Sequence, residues 1–258
     1  AGIDACVLAN NHVLDWGYQG LTETLSTLQQ ASIKTAGAGR DKAEAEAPAV
    51  FRLPGKGRVI VFSYATMSSG VPYNWYAADD KAGINLLANL SATTVHQIAQ
   101  QVKAVKQNND IVIASIHWGS NWGYTIPAEH SYFAQGLIDE AGVDIIHGHS
   151  SHHPQGIEIY RNKAVIYGCG DFINDYEGIS GHEEYRGDLS LMYFVTLDSL
   201  SGELVQLELV PTQIRNFRVN YATATDARWL TDMLNREGRR LDTQFSLDMD
   251  NRIHLMLS

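Results

Sequence analysis

Apolar positions along this chain follow two different periods, and the switch between them marks out its elements. Residues 4–9 form a short apolar run that reads as a buried strand and stops at Asn10-Asn11-His12. Leu21, Leu25 and Leu28 then recur at helical spacing and predict a helix over 18–31. Ala36-Gly37-Ala38-Gly39 reads as a Gly-rich turn, and the Ala/Glu run 42–47 as a solvated helical turn. Residues 50–53 and 58–65 flank Pro54-Gly55-Lys56-Gly57, a hairpin signal. From 66 to 92 the chain is rich in Gly, Ser, Asn and aromatics and has little period, which predicts a long surface loop. Val95, Ile98, Ala99, Val102 and Val105 predict a helix over 91–109. A buried strand over 111–116 ends at His117. Pro127 and Gly142 bracket a helix over 127–141, and a strand over 143–146 runs into histidines.

Strand, polar loop and helix thus repeat three times, the signature of an α/β core with partly parallel pairing. After Gln155 strand follows strand. Residues 156–160 and 164–167 flank Arg161-Asn162-Lys163, and 189–197 and 203–211 flank Asp198 to Gly202. These are hairpins, expected as antiparallel additions. A last helix over about 225–236 carries Trp229, Leu230, Met233 and Leu234 on one side. We divide the chain into a main domain, 1–212, and a strand–helix extension of it, 213–258.

Composition narrows the possibilities. Of 258 residues 45% are hydrophobic and 19% charged, which suits a folded globular chain. No run of 18 apolar residues occurs, so no helix is expected to span a membrane. The net charge of −10 argues against a general nucleic-acid binder, although a metal can neutralise an anionic ligand locally. Cys6 and Cys169 sit in apolar runs and read as buried free thiols rather than a disulfide. They leave the compartment open between cytoplasm and cell envelope. The opening residues read as the middle of a domain, which leads us to expect a fragment or a processed form.

The chemistry gathers where strands end. Asn10-Asn11-His12 ends the first strand, His117-Trp118-Gly119 the next, and His147-Gly148-His149-Ser150-Ser151-His152-His153 the third. If those strands are parallel neighbours, all three groups lie on one edge of the sheet, where such sheets bind ligands. Imidazoles and an amide oxygen there suit Zn, Mn or Fe. Each group also has a plain structural reading. Asn10-Asn11 can be a turn or cap, His117 a core histidine beside Trp118, and the 147–153 cluster a solvated loop. His147 and His153 read as bystanders, and His96, His130, His182 and His254 as isolated surface or core residues. In the Gly-rich segment 167–178, Asp171 can orient a ligand histidine or simply cap a turn. Tyr73, Trp75, Tyr76, Trp118, Trp122 and Tyr124 can wall a binding site or pack the core.

In this order and spacing the groups resemble the CapA family of capsule and poly-gamma-glutamate biosynthesis, a branch of the calcineurin-like metallophosphoesterase superfamily. The matching residues are Asn10-Asn11-His12 with Asp15 and Gly17, then His117-Trp118-Gly119, then the run from Leu137 to Asp144. Gly148-His149 with His152, then Gln155, Glu158 and Gly170-Asp171-Phe172 follow. The resemblance implies an α/β fold of the metallophosphoesterase type, a four-layer sandwich with mixed sheets, here lacking its N-terminal strands. It implies two divalent metal ions (Mn, Zn or Fe) in the full-length protein. Asn11, His117 and His149 would ligate one metal and His152 the second, with His12 as the acid that assists a leaving group or as a group that steadies a transition-state phosphate, and Asp171 completing the catalytic set. Two such metals activate a bridging water and clamp an in-line displacement. The family's Gly-Asp and Asn-x-Glu segments, which supply carboxylate ligands, are not found ahead of Asn10. Ser150-Ser151 stands where many relatives carry His-Pro, and Asp171 where Asn is usual.

Three functions follow as expectations. The first is a metal-dependent hydrolase acting on a phosphoester or related bond of a small-molecule or polymer substrate. The second is a non-hydrolytic accessory of polymer synthesis or export, partnered with capsule synthesis machinery. The third is a metal-independent enzyme whose histidines act as acids and bases on a peptide-like substrate.

Overall fold

The computed structural model describes residues 2–174 and 179–257; Asp175 to Gly178, the end of the segment singled out above, lie outside them. The chain forms two units. One runs to Ser120 and resumes over Pro127–Ile146; the other comprises Asn121–Ile126 and the chain from His147 onward.

The first unit opens with β1 (Ala5–Val7) and α1 (Gly17–Gln30). Leu21 and Leu25 lie one turn apart on α1 and are buried, which fixes the helix's inner face. Next, β2 (Lys34–Ala36) runs parallel to β1, with Ala5 opposite Lys34 and Val7 opposite Ala36. Then come β3 (Ala38–Gly39) and α2 (Lys42–Glu46). Asp41 caps α2 by accepting from the Glu44 N–H at 2.8 Å. The expected solvated turn is therefore a packed helix. Ala45 is fully buried, and α2 sits so close to β3 that a Cβ on Gly39 would lie 2.3 Å from the Ala45 nitrogen.

As expected, β4 (Ala49–Leu53) and β5 (Gly57–Ala65) form an antiparallel hairpin. The stretch 66–92 is more ordered than its lack of period suggests. It holds β6 (Gly83–Ile84), which pairs with β3, and it buries Val71, Ile84 and Leu87. Its apolar residues come singly between turns, so neither helical nor strand periodicity reveals them. α3 (Ala92–Val105) is capped by Ser91 and buries Val95, Ile98 and Val102. β7 (Ile111–His117) runs parallel to β5, from Val59 opposite Ile111 to Ala65 opposite His117. α4 (Ala128–Asp139) starts after Pro127, and Gly142 follows its end with φ +66°. β8 (Ile145–His149) carries the chain from the first unit into the second.

In the second unit β9 (Ile157–Tyr160) and β10 (Lys163–Ile166) form a hairpin. Its two turn residues, Arg161 and Asn162, both adopt positive φ, as a tight two-residue turn demands. A five-stranded antiparallel sheet follows. It holds β11 (Leu189–Leu197), β12 (Leu204–Arg215), β13 (Arg218–Tyr221), β14 (Phe245–Leu247) and β15 (Ile253–Leu255). The order is β11-β12-β15-β14, with β13 also on β12. α5 (Ala224–Gly238) precedes β14 and buries Leu230, Met233 and Leu234 in one core with Leu191, Leu209 and Ile253. The chain is thus mixed α/β, with parallel pairs early and antiparallel additions late.

One glycine ties several elements of the first unit together. Gly37 has φ +93°, and a Cβ there would lie 2.4 Å from Ser63 Oγ and 2.8 Å from Ala9 Cβ. Gly37→Ala is expected to destabilise the fold by about 2–4 kcal/mol, from left-handed strain plus overpacking. A urea titration reads this as a lower midpoint at unchanged slope. An unchanged midpoint would contradict the packing described.

Candidate functional site

The first unit brings Asn11 and His117 together. β1 is not a neighbour of β7, since it pairs with β2 in a separate two-stranded sheet. The expectation of three polar groups on one edge of parallel neighbours therefore fails for the first group. A turn makes the connection instead. Beyond β1 the Asn10 side chain accepts from the His12 N–H at 2.9 Å, and the Asp15 N–H donates to the His12 carbonyl at 3.1 Å. Asn10 is thus the turn-former, and Asn11 is left to face His117, with Oδ1 3.1 Å from Nε2.

His117 is held at its backbone as well. Its carbonyl accepts from the Thr66 N–H (2.9 Å), Thr66 Oγ1 (3.2 Å) and Ser69 Oγ (3.0 Å). Ser68 Oγ accepts from the Gly119 N–H at 3.1 Å. The Ser/Thr-rich turn after β5 thus fixes the end of β7. Sequence reasoning missed it because it lies in the aperiodic stretch. The only signal was the density of hydroxyls in Thr66-Met67-Ser68-Ser69. His12 points outward, its side chain 73% exposed, with Nδ1 2.7 Å from Asp15 Oδ2.

In the second unit His152 Nδ1 lies 3.0 and 3.1 Å from the two oxygens of Asp171. A carboxylate at Nδ1 places the proton there and leaves Nε2 with its lone pair, the arrangement that metal-ligating histidines use. Asp171 gets within reach because the chain before it runs tightly along the histidine turn. A Cβ on Gly170 would lie 2.9 Å from the Pro154 nitrogen. The rings of His147 and His149 stand 5.5 Å apart.

His153 differs in kind. It is fully buried, and its Nε2 accepts from the Gly123 N–H at 3.1 Å. Its Nδ1–H donates to the Pro154 carbonyl at 3.0 Å. Both nitrogens are engaged and the ring is neutral; burial pushes it down to about 4. His182 is not isolated, since it stacks on Trp122 at 4.3 Å. His130 is buried against Trp118 at 4.5 Å, and burial pushes it to about 4. His254 pairs with Asp248 at 2.9 Å, and His96 is exposed. Tyr73 and Tyr76 pair with each other, Trp118 packs on His130, and Trp122 and Tyr124 both meet His153 and Tyr185. Cys6 and Cys169 are free, and burial raises the Cys169 thiol to about 12.

These donors suit a divalent cation in kind. Two cis ligands, each about 2.1 Å from an octahedral metal, stand roughly 3 Å apart, and Asn11 Oδ1 and His117 Nε2 stand 3.1 Å apart. In number they fall short. Among the described residues no three His, Cys, Asp or Glu side chains gather to hold a metal ion.

The chain has clear relatives. The family model described as bacterial capsule synthesis protein PGA_cap matches residues 1–176. A probable polyglutamine synthesis accessory protein of Mycobacterium tuberculosis is 45% identical over 252 residues, which cover 97% of this chain and 66% of that protein. The capsule biosynthesis protein CapA of Bacillus anthracis is 26% identical over 176 residues, 68% of this chain and 41% of its own length. The PGA biosynthesis protein CapA of Bacillus subtilis is 27% identical over 172 residues, 65% of this chain and 41% of its own length. The chain thus spans 66% of the mycobacterial relative and 41% of either Bacillus protein.

The buried histidines set a pH dependence. His130 and His153 fall from an ordinary 6.5 to about 4 on folding. Between those values the unfolded chain binds more protons than the folded one. Their contribution is therefore fully present above about pH 6.5 and is lost as pH falls towards about 4. The loss is expected to reach roughly 2–3 kcal/mol per histidine at the acid end. Urea midpoints measured from about pH 7.5 down to about pH 4.5 should fall steadily, and less steeply in His130→Phe. A flat profile would contradict the buried, neutral state of these rings.

Proposed function

Because the chain belongs to the bacterial capsule synthesis protein PGA_cap family, we propose that it serves the synthesis of a glutamate- or glutamine-based polymer as a metal-dependent hydrolase of a phosphoester or related bond. The approach of Asn11 Oδ1 to His117 Nε2 carries this reading, because the pair has the spacing of adjacent ligands on one metal. In the first unit Asn11 and His117 would hold a metal. In the second, His152 would bind the second metal through Nε2, its Nδ1–H donated to Asp171. Bound divalent metal supplies Lewis acidity and a water acidified enough to attack at neutral pH.

The chain's own residues do the rest. Thr66 and Ser69 hold the His117 backbone still, so its ring keeps one direction. Asp15 accepts from His12 Nδ1 and steadies the exposed ring, whose other nitrogen can pass a proton to a leaving oxygen. Asp171 sets the tautomer of His152. Among the described residues no three His, Cys, Asp or Glu side chains gather at one point, and acidic ligands would complete the coordination set. The partners proposed are a polymer or small-molecule substrate and the machinery that builds the polymer. A second reading, a non-hydrolytic accessory role, draws support from the likeness to the mycobacterial probable polyglutamine synthesis accessory protein.

The test uses the full-length gene product loaded with Mn or Zn. The wild type is expected to bind metal and to cleave an aryl phosphate ester. His117→Ala should abolish both, and Asp171→Asn should weaken metal binding about 10–100-fold. Metal binding without hydrolysis of any phosphoester would favour the accessory role. Absence of both metal and hydrolysis would overturn the proposal.

A further inference from the structure

The six residues Asn121–Ile126 pack with the second unit, although Ser120 before them and Pro127 after them belong to the first. They hold the histidine turn through its backbone and its side chains. The His152 N–H donates to the Asn121 carbonyl at 3.0 Å, and the Gly123 N–H donates to His153 Nε2 at 3.1 Å. Gln155 Nε2 donates to the Gly123 carbonyl at 2.8 Å. Gly123 has φ +119°, a conformation that other residues rarely adopt. Between these bonds the Trp122 ring lies 5.5 Å from the His152 ring and 5.9 Å from that of His153.

The other side of the turn is equally close. Ser151 Oγ donates to the His153 carbonyl at 2.9 Å, and the Gln155 N–H donates to the Gly168 carbonyl at 2.9 Å. A Cβ on Gly168 would lie 2.3 Å from Ser151 Oγ and 2.7 Å from Gln155 Oε1. The turn is thus gripped between two strips of backbone, with Ser150 held at φ +120° at its start. Asp171 follows directly from the second strip and meets His152 Nδ1.

We infer that His153 and Gln155 are positioning residues, which clamp the Asn121–Gly123 strip onto the turn and so fix the ring of His152 in one tautomer and one direction. His153 is fitted for this. With Nδ1–H spent on Pro154 and Nε2 on Gly123, it has no nitrogen left to ligate a metal. Its value is geometric: its Nε2 accepts from the Gly123 N–H, while Gln155 donates to the carbonyl of the same glycine. A locked ring loses less conformational freedom when Nε2 meets a ligand. The metal part of this inference rests on the proposed function; the tautomer part does not.

The experiment compares Gln155→Ala, His153→Ala and His153→Gln with the wild type, in the chain and in the full-length gene product. Gln at 153 keeps an acceptor that can reach the Gly123 N–H. Long-range nitrogen–proton NMR of the histidine rings reports the His152 tautomer without metal, and titration with Zn reports affinity. In the wild type, His152 should show a single Nδ1–H form. Gln155→Ala and His153→Ala should mix its tautomers and weaken Zn binding about tenfold. His153→Gln should restore most of both. A single His152 tautomer and unchanged affinity in both alanine variants would overturn the inference. If His153→Ala fails to fold, Gln155→Ala, at a half-buried position, decides the matter alone. If the wild type binds no Zn but keeps a single His152 tautomer that mixes in the alanine variants, the metal reading fails and the clamp stands.

Discussion

The contact between Asn11 Oδ1 and His117 Nε2, 3.1 Å long, is the constraint on which the candidate site depends. It joins two strand ends that share no sheet. β1 pairs with β2, and β7 lies beside β5. Sheet hydrogen bonding therefore cannot align them, and local devices must. Asn10 closes the turn that presents Asn11, and Thr66 with Ser69 anchors the carbonyl of His117. Gly37, between β2 and β3, lets the chain pass closely by Ser63 of β5 and by Ala9, just ahead of the turn. The site in this unit is a product of turns packed against strand ends, with the strands acting as rails.

The histidines of the 147–153 cluster, so alike in sequence, are separated in chemistry by what each nitrogen touches. His152 has Nδ1 committed to Asp171, which sets its tautomer. His153 has both committed and serves as internal scaffolding. No pattern of spacing can distinguish these roles. The backbone groups that decide them come from Gly123 and Pro154, and Gly123 is thirty residues away in sequence.

Much of the fold was legible because its signals are local. The Pro127–Gly142 bracket and the hairpin at Arg161-Asn162 each act within a few residues. The periodic faces of α1, α3 and α5 likewise appear where the apolar spacing puts them. The stretch 66–92 was not legible, since its buried residues are isolated and its one strand has two residues. The separate sheet of β1 and β2 was also hidden, because pairing choice depends on contacts far apart in sequence. Of the candidate site, the residue types and their order could be read, and so could the Asp171 partnership with a histidine. The hydroxyl anchors of His117, the Asp15 partner of His12 and the Trp122 cluster could not, since each is a matter of which groups a turn happens to face.

The central claim is that Asn11 and His117 present two donors to one cation. Anomalous diffraction from Mn-loaded crystals of the full-length gene product tests it most directly. The account predicts a peak about 2.0–2.3 Å from both Asn11 Oδ1 and His117 Nε2. Manganese bound elsewhere, with the two side chains still hydrogen-bonded to each other, would contradict it.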